Sequence, residues 1–176
     1  MSPNQNTNQS EYLPEATRKV VNDFEALDTD AKLALLYYAY EKMGDSITPA
    51  APTATDPELA PSLMGDFFDM SNDKQLAVMR EIVNREHTEM SHAYGSLKEN
   101  NQLMVWFAWA QAMGDTVVDM PADYQASQAI NDVLSHLEGL DFQEQISMLR
   151  EIAGTMGYSD VKAIPSQAET GKTASL

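Results

Sequence analysis

The chain has 176 residues, with 27 Asp and Glu against 11 Lys and Arg and a formal charge of −16, and its length suits one domain with a sizeable core. That balance argues against a protein that neutralises nucleic-acid phosphates or coats an anionic membrane, since both tasks need a basic face. With no cysteine, disulfides, thiolate metal sites and cysteine nucleophiles are excluded.

No apolar run reaches the length of about 18 residues that a membrane helix needs. The opening MSPNQNTNQS lacks the basic start and apolar stretch of a secretion signal. A soluble, acidic, intracellular protein is expected.

Residues 1–12 are polar and rich in Asn, Gln and Ser, so a disordered tail is expected there. Helical spacing of apolar residues then predicts helices over about 14–25 and 29–43. A surface loop is expected from Ser46 to Pro61, which holds four of the eight prolines and so resists a continuous helix. Further helices are predicted over about 57–69, 72–84, 86–96, 100–113, 122–137 and 142–156. From Ala163 the composition loosens again, leaving one all-helical domain over 13–162 and a disordered tail over 163–176. Asp28, Ser71 and Asp141 stand where a short oxygen-bearing side chain can cap free amides. Gly44, Gly114, Gly139 and Gly157 stand where a left-handed residue can end a helix. No alternating strand longer than about four residues is found. The fold class is all-α, with eight short helices.

One segment type recurs. Residues 140–153, LDFQEQISMLREIA, match residues 70–83, MSNDKQLAVMREIV, and more weakly residues 27–40, LDTDAKLALLYYAY. The spacing is too irregular for a solenoid. The repetition suggests one amphipathic helix design used three times, in two related helical subdomains.

Enzyme chemistry finds little support. The three histidines are His87, His92 and His136. Glu89 and His92 form a single Glu-x-x-His unit, whereas a di-iron bundle needs two such units plus two more carboxylates. An exposed polar helix face is the expected reading of that unit. Phosphate loops, nucleophile elbows, calcium loops and zinc helices are all missing.

The informative content is soft and aromatic: 11 Met, seven Tyr, five Phe and two Trp. Leu33, Leu36, Tyr37 and Tyr40 fall on one helix face, and Leu103, Trp106, Phe107, Ala110 and Met113 fall on another. Trp109 is expected about 60° off that second face. Such stripes suit a plain core. Core is the usual meaning of such stripes, and the sharper reading is a flat, conjugated, apolar ligand held between subdomains by adaptable Met and rigid aromatic planes.

The run from Leu33 to Gly44, LALLYYAYEKMG, continues to Ile47-Thr48 and Ala50-Ala51-Pro52. Together with Asn84-Arg85, Trp106-Phe107 and the segment Gln145-Ile146 to Leu149-Arg150, it resembles the N-terminal domain of the orange carotenoid protein. The resemblance covers residues 12–160 and is closest to the stand-alone helical carotenoid proteins of cyanobacteria. It implies two discontinuous four-helix subdomains with a ketocarotenoid between them, namely canthaxanthin, echinenone or 3′-hydroxyechinenone. The pigment-lining positions it implies are Leu33, Leu36, Tyr37, Tyr40, Met79, Leu103, Trp106, Phe107, Met113, Met120, Tyr124 and Ile146. Tyr40 and Trp106 match the family's aromatic clamp around an end ring. Arg150 matches the arginine that faces the regulatory domain of the two-domain relatives, and is expected here to be exposed and without that role. Tyr37, Phe107 and Thr53 depart from the common Trp, Tyr and Gly, so altered pigment tuning is expected.

The function implied by the resemblance is constitutive quenching of singlet oxygen through the bound pigment, without a photoswitch and without enzymatic chemistry. Two other roles known among relatives stay open: quenching a phycobilisome directly, and carrying carotenoid to a separate partner resembling the regulatory domain. A charge of −16 disfavours docking on an acidic antenna. The resemblance also implies a cytoplasmic monomer within reach of the thylakoid surface.

Overall fold

A computed structural model of the protein describes residues 15–47 and 61–159. Both expected tails and the body of the proline-rich loop, including Thr53, lie outside the described residues.

The described residues form eight α-helices: α1 (Glu15–Glu25), α2 (Thr29–Ile47), α3 (Pro61–Met64), α4 (Asn72–Val83), α5 (Glu89–Gly95), α6 (Glu99–Gln111), α7 (Gln128–Glu138) and α8 (Phe142–Gly154). A 3-10 turn over Asp66–Asp69 lies between α3 and α4. The one extended pairing among the described residues is an isolated bridge between Met113 and Val117, so the all-helical fold class holds. Among the same residues no helix is long and apolar enough to cross a membrane.

The predicted caps form. Asp28 Oδ1 accepts the amide of Ala31 at 2.8 Å, Ser71 Oγ accepts that of Lys74 at 3.2 Å, and Asp141 makes a full capping box with Glu144. Two of the four glycine stops also hold, since Gly114 and Gly157 have φ of +87° and +84°. The other two are corrected. Helix α2 runs through Gly44 to Ile47, and a Cβ at Gly44 would lie 2.7 Å from Tyr40 Cδ1; the missing side chain makes room for the Tyr40 ring. Gly139 closes α7 at φ −80°, a conformation open to any residue.

Three boundaries shift as well. The helix expected over 57–69 breaks at Gly65 into α3 and the 3-10 turn. Helix α5 begins at Glu89, after Arg85 turns left-handed at φ +58° and Thr88 caps the amide of Ser91. Helix α7 begins at Gln128, where Ser127 Oγ caps Ile130, because residues just after Pro121 form a turn closed by Tyr124 N–H to Pro121 O at 3.1 Å.

The sequence repeat is a structural one, and it has a fourth member. The eight helices are four hairpins, α1–α2, α3–α4, α5–α6 and α7–α8. In three of them a glutamine in the first turn of the second helix donates its Nε2 to a carbonyl eight residues earlier, at the end of the first helix or, in α3–α4, in the 3-10 turn that follows it. The pairs are Gln75 to Phe67, Gln102 to Tyr94 and Gln145 to Leu137, each at 3.0 Å. In α1–α2 the equivalent residue is Lys32, whose Nζ lies 5.6 Å from the ring centroid of Phe24. Phe24, Phe67, Tyr94 and Leu137 are all fully buried, so each hairpin is pinned at its tip by one large apolar side chain.

The chain's two ends supply one subdomain, in which α1, α2, α7 and α8 pack together, and its middle supplies the other. Helix α6 joins the two, being buried on almost every side. It packs on α2 and α8. The indole Nε1–H of Trp106 donates to Tyr94 Oη at 2.9 Å, and that hydroxyl donates to Ala153 O of α8 at 2.7 Å. Burial pushes the Tyr94 phenol far above its ordinary pKa. The Trp109 ring stacks on Phe67 at 3.9 Å, and its Nε1–H donates to Leu63 O at 3.1 Å.

Candidate functional site

The repeat arms two helices with the same face. Leu33, Leu36 and Tyr37 of α2 occupy the same hairpin positions as Leu76, Met79 and Arg80 of α4, and these two faces look at each other across a cavity of about 350 Å³. Helix α6 closes a third side with Trp106, Trp109 and Ala110, and the segment after it closes the fourth with Met113, Val118, Met120, Pro121 and Tyr124. That segment lacks regular structure but is held in place by Gln75. The Gln75 Nε2 donates to Thr116 O at 2.8 Å, and its Oε1 accepts the amide of Val118 at 2.8 Å.

Eight of the twelve positions implied by the resemblance therefore line one cavity: Leu33, Leu36, Tyr37, Met79, Trp106, Met113, Met120 and Tyr124. The other four lie elsewhere. Leu103 and Phe107 are buried on α6, and Ile146 is half-buried on α8. Tyr40 sets its ring edge-on to Phe107 at 5.6 Å. Of the two clamp positions, Trp106 is in the cavity wall and Tyr40 beyond it.

Trp109 was expected off the ligand face, yet it is in the wall. The 60° estimate presumes a helix with one dry side, whereas α6 is dry nearly all round. Ala34 and Leu76 share the spacing of α2 and the repeat position of Leu33, so both were within reach of the sequence. Val118 and Pro121 belong to an aperiodic segment that gives no pattern to read.

The lining is largely apolar, with charge confined to the rim. Arg80 forms a bidentate pair with Asp30, Nε to Oδ1 at 3.0 Å and Nη2 to Oδ2 at 3.1 Å. Both side chains are about half exposed, so the pair ties α4 to α2 without adding much stability. Burial raises the Tyr37 phenol, with the Glu41 carboxylate adding to the effect. Burial likewise raises Tyr124, helped by Tyr38, Asp28 and Asp30. Both hydroxyls stay protonated at neutral pH and can donate a hydrogen bond. Arg150, expected to be exposed, is half-buried.

An apolar slot with aromatic planes and a thin polar rim suits an elongated, flat, weakly polar molecule. The family described as orange carotenoid protein, N-terminal, matches residues 10–159. The chain belongs to that family. An orange carotenoid-binding domain-containing protein of Nostoc sp. PCC 7120 is 40% identical over 144 residues, covering 81% of this chain and 84% of its own length. The orange carotenoid-binding protein of Synechocystis sp. PCC 6803 is 33% identical over 137 residues, 77% of this chain but 43% of that protein. The chain thus spans less than half the length of that relative.

Among solved structures, the red carotenoid protein of Anabaena (Nostoc) sp. PCC 7120 binding canthaxanthin superposes with a TM-score of 0.71 at 31% identity, with 81% of this chain and 99% of that one covered. The orange carotenoid protein of the same organism, also binding canthaxanthin, gives 0.74 at 30% identity over 84% of this chain and 48% of that one.

Proposed function

We propose that this domain binds a ketocarotenoid, with canthaxanthin the best supported, and that the loaded protein quenches singlet oxygen constitutively. The observation that carries this reading is the cavity walled by the repeat-equivalent faces of α2 and α4. Its residues fit the group: apolar Leu, Met and Ala along the walls, ring planes from Trp106 and Tyr37, and donors at the edge. A ketocarotenoid is longer than this cavity. One end ring and part of the chain would fill it, and the remainder would run past Tyr40, Leu103, Phe107 and Ile146. Leu103 and Phe107 on α6 and Ile146 on α8 are the hairpin equivalents of Leu33 and Tyr37 on the cavity face of α2, so the route continues along the same kind of surface.

When bound, a long conjugated polyene accepts excitation energy from singlet oxygen and sheds it as heat. The chain's own residues hold that molecule apart from water, straighten it between helices and leave its rim accessible to dissolved oxygen. Two observations support constitutive action. Described residues of this domain wall the cavity on four sides, and a red carotenoid protein matched over 99% of its length holds canthaxanthin.

The test is the near-infrared phosphorescence lifetime of singlet oxygen with pigment-loaded protein, pigment-free protein and no protein. The loaded protein should shorten the lifetime well beyond the pigment-free chain, equally after darkness and after strong light. A lifetime no shorter than with the pigment-free chain would overturn the quenching role. Shortening that appears only after illumination would overturn its constitutive character.

A further inference from the structure

The Glu-x-x-His unit, expected to be an exposed polar face, has a neighbour that spacing did not reveal. His87 lies in the turn after α4 and His92 lies half-buried on α5. Their nitrogens face each other, His87 Nδ1 to His92 Nε2, at 2.9 Å. The ring of Tyr158 lies against both imidazoles, with centroids 4.5 and 4.3 Å away and planes tilted by 22° in each case. The two imidazoles therefore sit edge to edge over one phenol ring.

That arrangement is fixed by backbone and not by the imidazoles themselves. The amide of Gly157 donates to Ile82 O at 2.8 Å and that of Tyr158 to Ser91 O at 3.1 Å. Gly157 needs its φ of +84° to make the approach. A Cβ at Gly95 would overlap the Tyr158 carbonyl, so the segment beds directly on α5. On the other side, Arg85 at φ +58° and the amide of Glu86 bonded to Glu81 O at 2.9 Å set the turn that presents His87.

We propose that His87 and His92 form a two-nitrogen site for a divalent transition-metal ion of tetragonal or octahedral preference, Cu(II) foremost. In the metal-free state the two nitrogens share one proton, since one must donate and the other accept. A metal ion would take that proton's place. Imidazole–metal bonds run about 2.0–2.1 Å. Across an N···N gap of 2.9 Å, two such bonds meet at about 90°. That is the cis angle of square and octahedral complexes, whereas a tetrahedral ion would need the nitrogens about 3.4 Å apart. The centroid separation of 4.5 Å is shorter than a straight N–H···N bond between two imidazoles would give. The ring nitrogens are therefore turned off the line that joins them, as chelation to one side of that line requires.

Stacking on Tyr158 restrains both rings beforehand, which lowers the ordering cost of binding. Among the described residues no group of three or more metal-binding side chains converges, so water would complete the coordination. With two protein ligands, selectivity would follow the general order that places Cu(II) above Ni(II) and Zn(II). The ion would clasp the turn after α4 to α5, beside the docked Tyr158.

The test uses the full-length, tag-free chain titrated with copper(II) chloride and followed by electron paramagnetic resonance. Removing even a supporting partner weakens metal sites by about 10–100-fold, so losing a ligand should cost at least as much. Wild type should take up one Cu(II) per chain, with couplings from two imidazole nitrogens. H87Q and H92Q should each raise the dissociation constant by about tenfold or more. H136Q, which removes the exposed histidine of α7, should match wild type. Copper should raise the melting temperature of wild type but not of H87Q or H92Q. A wild-type spectrum showing one nitrogen or none would overturn the proposal without reference to any variant. So would H87Q and H92Q chains that keep wild-type affinity.

Discussion

Gln75 holds the cavity's irregular wall, and removing its amide should cost far more than removing the equivalent amide of Gln145. Gln75 is fully buried and makes three bonds, to Phe67 O, Thr116 O and from Val118 N, at 3.0, 2.8 and 2.8 Å. Gln75→Leu keeps most of the volume but leaves the Thr116 carbonyl and the Val118 amide without partners, while Phe67 O still accepts the Met70 amide. At about 1–2 kcal/mol for each orphaned group, the loss comes to about 2–4 kcal/mol. Gln145 is half-buried and makes a bond of the same kind to Leu137 O, so Gln145→Leu should cost about 1 kcal/mol. In urea, with a slope of about 2 kcal/mol per molar, those losses move the midpoint by about 1–2 M and about 0.5 M. Amide exchange at Val118 should quicken in Gln75→Leu alone. Equal midpoint shifts in the two variants would refute the reasoning, because they would mean that the segment after α6 does not depend on this glutamine.

Ala110 lines the cavity and is nearly buried, so Ala110→Leu should fill part of it and lower carotenoid retention while changing stability by less than about 1.5 kcal/mol; pigment-to-protein absorbance and a urea titration measure the two effects. Burial, reinforced by Glu99, raises the Glu151 carboxyl above its ordinary value of 4.5. The folded state therefore favours its proton, and stability is lost as pH rises from the ordinary value through the raised one. Glu151→Gln should thus raise the urea midpoint at neutral pH more than the exposed control Glu25→Gln does, with the gain vanishing below about pH 4.5. Asp141→Ala breaks the capping box of α8 and should cost about 1–2 kcal/mol by the same titration.

How much of this was legible depended on whether a signal was local. Asp28, Ser71 and Asp141 cap their helices because a short oxygen-bearing side chain reaches nearby amides whatever the rest of the fold does. Helix α6 hid its place in the repeat for two reasons. Lys98 stands at its cap position without a side-chain bond, and apolar residues surround the helix, so no polar face marks its register. Gln102 was the remaining clue, and its bond to Tyr94 O shows that it holds the same position as Gln75 and Gln145.

The α2 wall of the cavity followed from spacing, whereas Met79 on the α4 wall came from the resemblance, and Leu76 and Arg80 were not singled out. The rest depended on tertiary contacts. The Arg80–Asp30 pair joins residues 50 positions apart, and Val118 and Pro121 reach the wall in a segment that Gln75 helps tie down from 41 and 43 positions away. Gly44 misled for a different reason: the usual role of glycine as a stop gave way to the room that Tyr40 needs on its own helix.

The central claim is that the slot between α2, α4 and α6 holds a ketocarotenoid, and the most direct measurement is pigment content after purification from canthaxanthin-producing cells. Extraction and the visible spectrum of the purified chain should give one carotenoid per protein, with absorption shifted to the red of the free pigment. A colourless protein from pigmented cells, or colour that Ala110→Leu leaves at full strength, would contradict it.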